Sequence, residues 1–104
     1  MIERIWRGWI AADKADAYQH FLRTAFFPAA RAIEGFRGAR VLRRPLGGEV
    51  EFMTVTRFDS LDAIRAFAGD DLEQAHVAPE ARALLARWEE RVVHYDLAFE
   101  DVAP

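Results

Sequence analysis

Hydrophobic positions along this chain change from period two to the helical period and back, and the changes divide it into elements. From Ile2 to Ile10, one side of the alternation holds Ile2, Arg4, Trp6, Gly8 and Ile10, and the other Glu3, Ile5, Arg7 and Trp9, which predicts a strand. Asp13 is placed to cap a helix in which Ala17, Tyr18, Phe21, Leu22, Ala25 and Phe26 form one apolar stripe. Pro28 is expected to kink or interrupt that helix, because it lacks an N–H and crowds the preceding turn. Gly35 ends the segment. Phe36 to Arg44 predicts a second strand, and Pro45-Leu46-Gly47-Gly48-Glu49 a tight hairpin into a third, Glu49 to Phe58. Asp59 or Ser60 then caps a helix whose face is Leu61, Ile64, Phe67 and Ala68, with Gly69 as its stop. A loop with a helical turn follows to Val77. Pro79 opens a last helix with Ala81, Leu84, Leu85 and Trp88 as its stripe, and Val92 to Glu100 reads as the closing strand.

The order β-α-β-β-α-(α)-β in one domain, residues 1–104, is the α+β plan of the ferredoxin-like split βαβ fold, an antiparallel sheet with helices on one face. Helices cover only one face of such a sheet, yet the first, third and last strands carry apolar residues on both sides. A second copy of the same sheet would bury the remainder isologously, so the pattern predicts a homodimer.

Composition narrows the class of function. A net charge of −3 gives no basic footprint for nucleic acid. No apolar run approaches the ~20 residues that span a bilayer, and the charged N-terminus is not a signal peptide, so no membrane partner and a cytoplasmic location are expected. There is no cysteine, which removes disulfides and thiolate chemistry. No metal-ligand cluster, phosphate loop or nucleophile triad is visible. The chain contains no asparagine, and Ser60 is its single serine.

The length, the element order, the segment Phe58-Asp59-Ser60-Leu61-Asp62-Ala63-Ile64-Arg65-Ala66-Phe67, the approach Ile33-Glu34-Gly35-Phe36-Arg37-Gly38 and the closing Val92-Val93-His94-Tyr95 together resemble the antibiotic biosynthesis monooxygenase-like family of the dimeric α+β barrel superfamily. The resemblance implies paired sheets forming a barrel between two subunits, with a pocket in each between helices and sheet. It also implies an activity among cofactor-free oxidation of aromatic substrates, haem binding or degradation, and other small-molecule chemistry. The monooxygenases of that family use Asn, Trp and Arg, and its haem-degrading branch Asn, Trp and His. This chain has no asparagine, and Phe67 stands where the helix tryptophan would lie.

The candidate catalytic residues are therefore His94, Trp6 and Arg7. The first and last strands should be neighbours, which makes Trp6 and His94 candidate cross-strand partners and His94 a candidate proton acceptor. The candidate pocket is Tyr18, Phe21, Phe67, His76 and Trp88, with His76 near where the haem-degrading branch places its iron ligand. Arg37, Arg40, Arg43 and Arg44 are expected to pair with carboxylates such as Glu49 and Glu51 across the hairpin. The expected partners are a second copy and a small apolar molecule, with no bound cofactor and no metal. The expected chemistry is oxidation of a small aromatic or apolar metabolite. A non-catalytic dimeric binding module is the alternative, and haem binding a further one.

Overall fold

In the computed structural model, which describes residues 1–104, strand β1 (Ile2–Ala11) runs down the middle of a five-stranded antiparallel sheet. On one side it pairs with β3 (Glu49–Phe58), which pairs in turn with the edge strand β2 (Phe36–Leu46). On its other side it pairs with two short strands, β4 (Leu85–Trp88) at one end and β5 (Val93–Asp96) at the other. This is the split βαβ plan that the sequence order predicts. The helices are α1 (Ala15–Phe21), α2 (Phe27–Ala30), α3 (Leu61–Ala68) and α4 (Pro79–Arg82).

Pro28 interrupts the α-helical hydrogen bonding as expected, without ending the helix: α1 stops at Phe21, Leu22–Phe26 widens into π-type turns, and α2 resumes with the proline in its first turn. Two local expectations are corrected. The helix after Pro79 has only four residues, and Leu85–Trp88 is a strand. The edge of β1 from Gly8 to Ile10 offers backbone groups that must be paired, and this outweighs the helical spacing of Leu84, Leu85 and Trp88. The closing strand is Val93–Asp96 and not Val92–Glu100. Beyond Leu97, whose N–H reaches the Met1 carbonyl, the chain leaves the sheet and Phe99 is 82% exposed.

Glu89 bridges the break between β4 and β5. Its N–H donates to the Arg7 carbonyl and its carbonyl accepts from Trp6 Nε1 at 2.6 Å. Its carboxylate accepts from the Arg7 N–H and guanidinium at 2.9–3.2 Å. The capping expectation at α3 holds for Ser60, whose Oγ accepts from the Ala63 N–H at 3.2 Å, and Gly69 closes the helix at φ 85°.

Alternation sorts the sheet into two faces. Trp6, Gly8, Ile10, Val50, Phe52 and Phe58 point toward the helices and build the core in two clusters. One joins Ile10, Tyr18, Leu22, Phe52, Ala81 and Leu85, and the other Phe58, Ala63, Ile64 and Ala68. The opposite face has no helix. Across it the register aligns Ile5 with Val55 and Val93, Met53 with Leu42, and Glu3 with Tyr95. Leu42, Val93 and Tyr95 are among the exposed large apolar side chains. Ion pairs frame this band: Arg57 and Arg40 with Glu3, Arg44 with Glu51, Arg7 with Glu89 and Arg87 with Glu49. Of the four hairpin arginines, Arg44 pairs with Glu51 as expected. Arg40 takes Glu3, Arg37 takes Asp59 and Arg43 takes Asp16.

Candidate functional site

The two core clusters do not meet, and between them lies a cleft with a free volume of about 60 Å³. Its floor is the sheet: Arg4 and Trp6 from β1, Thr54 and Thr56 from β3. Tyr18 and Phe21 come from α1, Leu22 and Phe26 from the π-type turns, and Phe67 from α3. The widening of those turns is a local irregularity of the kind often found at functional sites. Phe26 and Phe67 close one end with their rings 5.9 Å apart and nearly perpendicular. The outer wall is the loop Ala75-His76-Val77-Ala78, with Ala81 of α4 and Val92 completing it. Of fifteen lining residues eleven are hydrophobic, so the cleft suits an apolar body.

The polar group that dominates it is Arg4, 4% exposed. Its Nη1 donates to the Leu72 carbonyl and lies 2.9 Å from His94 Nε2, its Nη2 donates to the Gln74 carbonyl at 3.0 Å, and its guanidinium lies over the Phe67 ring at 5.6 Å. All three partners are neutral. Burial lowers Arg4 to about 10, which still leaves a cation at neutral pH. The guanidinium also fixes the wall, because Leu72 and Gln74 precede the loop that closes the cleft. That loop is held from outside as well. Val92 N–H donates to the Glu73 carbonyl, Ala75 N–H to the Glu90 carbonyl, and Arg91 pairs with Asp71 at 2.7 Å.

The sequence-based candidates separate in space. Trp6, Tyr18, Phe21, Phe67 and His76 all line the cleft. His94 and Trp88 face the same side of the sheet but are not among its lining residues; Trp88 packs beside the larger core cluster. Trp6 and His94 are not cross-strand partners as expected. His94 stands opposite Arg4, because β5 is displaced along β1 by the interruption at Glu89. Arg7 points to the other face of the sheet, where it is engaged with Glu89 and lies 5.8 Å from the Trp9 ring. Sequence reasoning did not single out Arg4, Thr54 and Thr56 for the site. The available signal was their period: Arg4 shares its side of the strand with Trp6, and Thr54 and Thr56 theirs with Phe52 and Phe58. No group of three or more His, Cys, Asp or Glu side chains is arranged to hold a metal.

No protein-family model matches the chain, and no curated protein does. Solved structures do. A Bacillus cereus protein described as a candidate antibiotic biosynthesis monooxygenase superposes with TM-score 0.66 at 12% identity, over 100% of this chain and 97% of the other. The fold is that of the antibiotic biosynthesis monooxygenase-like proteins. An arginine-to-serine variant of MhuD, with two manganese protoporphyrin IX molecules bound per active site, matches with TM-score 0.63 at 23% identity, over 99% of this chain and 100% of its own. Rv0793 from Mycobacterium tuberculosis matches with TM-score 0.57 at 23% identity, over 99% and 98%. No helix of this chain is long and apolar enough to cross a membrane.

Proposed function

We propose that this chain is a homodimeric enzyme that oxidises a small aromatic or apolar metabolite in the cleft without a bound cofactor. The observation that carries the reading is the cleft itself, an apolar slot of Trp6, Tyr18, Phe21, Phe26 and Phe67 interrupted by a few polar side chains. The fold shared with the Bacillus cereus protein supports the reaction class. In this reading a substrate CH2 loses a proton to give a resonance-stabilised anion, which passes one electron to dioxygen. The radical pair joins through a C–O bond, and the peroxide takes the proton back and loses water to leave a carbonyl. His76, at the wall, is the imidazole available to accept the proton. The aromatic walls hold the ring and exclude water. His94 acts as a positioning residue through its contact with Arg4. Arg7 has no part in the chemistry, since it faces the opposite side of the sheet.

The dimer follows from that opposite side. Leu42, Val93 and Tyr95 are exposed beside partly buried Ile5 and Met53 on a face without helices, and a second copy of this sheet would bury them.

Haem is a second reading, favoured by His76 at the cleft and by the porphyrin-bound MhuD variant of the same fold. The cleft favours it less than a single ring: with a free volume of about 60 Å³, and ~150 Å³ needed to admit benzene, the wall would have to open much further for a tetrapyrrole than for one aromatic ring. Haemin added to the protein is expected to show no shifted Soret band.

Dioxygen uptake by protein treated with a chelator, with a panel of small hydroxyarenes and quinols, tests the reading. Uptake that depends on protein and substrate, and is lost in Ala75→Trp, is expected, because that substitution fills the cleft from its wall. Ligand binding without uptake on any member of the panel would favour the non-catalytic module.

A further inference from the structure

Two polar groups of the cleft lack the partners that burial normally requires. Arg4 is a buried cation whose protein partners are two carbonyls and a neutral imidazole nitrogen, whereas buried charges are ordinarily matched by an opposite one. A guanidinium has five N–H donors. Nη1 makes two contacts and Nη2 one, which leaves Nε–H and one N–H of Nη2. These are the two nitrogens that form the side-on fork to a carboxylate. Thr54 is the second group. It is 7% exposed, it lines the cleft, and its Oγ1 is fully enclosed with no hydrogen-bond partner. Buried hydroxyls without a partner are rare in native structures and call for an explanation. Arg4 lies opposite Thr56, and Thr54 is the next residue on the same face of β3, so both groups belong to one patch of the floor. No Asp or Glu lines the cleft.

We propose that the ligand carries a carboxylate on its apolar ring, with Arg4 receiving the carboxylate through its free fork and Thr54 donating its hydroxyl to it. This names the substrate class of the cleft and rests on the reading that the cleft takes a small apolar molecule. Hydrocarbon walls supply affinity for the ring, charged or neutral, while the single guanidinium sets its direction and favours a carboxylate-bearing ring over a neutral one of the same shape. Because the free volume is smaller than a benzene ring needs, entry requires the wall loop at Ala75–Ala78 to move outward. Arg4 is bonded to the carbonyls just before that loop, so the group that takes the anion also anchors the wall that must yield.

The test uses benzoate and benzamide, which share shape and differ in charge, titrated into the isotopically labelled protein and followed by NMR. Benzoate is expected to bind roughly tenfold tighter, the preference of a charge-assisted over a neutral contact. Thr54→Val is expected to weaken benzoate severalfold without lowering Tm, because it deletes a hydroxyl that has no partner in the free protein. Arg4→Lys keeps the charge and loses the fork, and should abolish most of the preference; if that variant fails to fold, Thr54→Val carries the test. Equal affinity for the two probes would overturn the carboxylate and leave the apolar cleft standing. Failure of both probes to bind would overturn both readings. A benzoate preference unchanged in Thr54→Val and in any folded Arg4→Lys would overturn the assignment to these residues.

Discussion

Arg4 and His94 stand opposite each other across the β1–β5 pair, with guanidinium Nη1 2.9 Å from imidazole Nε2. The contact requires Nε2 to accept, which places the imidazole proton on Nδ1 by inference from the hydrogen bond. An imidazolium there would face the guanidinium with a like charge.

A pH dependence follows from this pair. Burial first, and the Arg4 charge second, hold His94 below the usual histidine range. The unfolded chain therefore takes up a proton at His94 at a higher pH than the native protein does. The resulting contribution to stability is complete above the unfolded value near 6.5 and is lost as pH falls through it. Tm measured by calorimetry should drop between pH 7.5 and 5.5, and His94→Gln should flatten that drop. An identical slope in the variant would mean that the pair does not govern it.

Gly35 makes a second prediction. Its φ is 91°, and a Cβ added there would lie 2.7 Å from the Ala63 Cβ, while its carbonyl accepts from the Asp59 N–H at 2.8 Å. The residue thus ties the start of β2 to the cap of α3 at a distance only glycine permits. Gly35→Ala should cost about 1–3 kcal/mol, from strain and overpacking together. Gly38, at φ 133° with nothing within 4 Å of an added Cβ, supplies the comparison. Gly38→Ala should cost less, as strain alone. Denaturant unfolding of both variants checks the order, and equal losses would remove the Ala63 contact as the cause.

Much of the fold was legible because the strong signals in the chain are local. The alternation from Ile2 to Ile10, the Gly47-Gly48 hairpin and the Ser60 cap each state a backbone requirement within a few residues. The segment after Pro79 does not declare itself in the sequence, because its decisive interaction is not local. Leu85–Trp88 has helical spacing, yet it becomes a strand on account of the open edge of β1 far earlier in the chain, from Gly8 to Ile10. The site was half legible for the same reason. Aromatic residues at helical spacing, Tyr18, Phe21 and Phe67, lead to the cleft directly. Arg4 looks like a surface charge until β5 and the loop at Leu72–Gln74 fold over it. The alternation alone sets His94 two residues too far along β1, opposite Trp6 in place of Arg4, because nothing in its own segment announces the interruption at Glu89.

The uncovered sheet face predicts assembly. Leu42 is 49% exposed on the edge strand β2, aligned with Met53 of the apolar band. The wild-type protein should sediment as a dimer at micromolar concentration, and Leu42→Glu should shift it toward monomer without loss of helical or strand signal, because the residue contacts no core cluster. A wild-type monomer at that concentration would remove the argument from two-faced burial.

In the proposed function the cleft, and not the open face, receives a small apolar molecule. The most direct test is a methyl-resolved NMR titration with 1-naphthol. The expected result is one ligand per subunit, saturable shifts at Leu22, Val77 and Val92, and none at Ile5, Leu42 or Val93. Shifts confined to Ile5, Leu42 and Val93, with the cleft methyls silent, would mean that the open face is the binding surface.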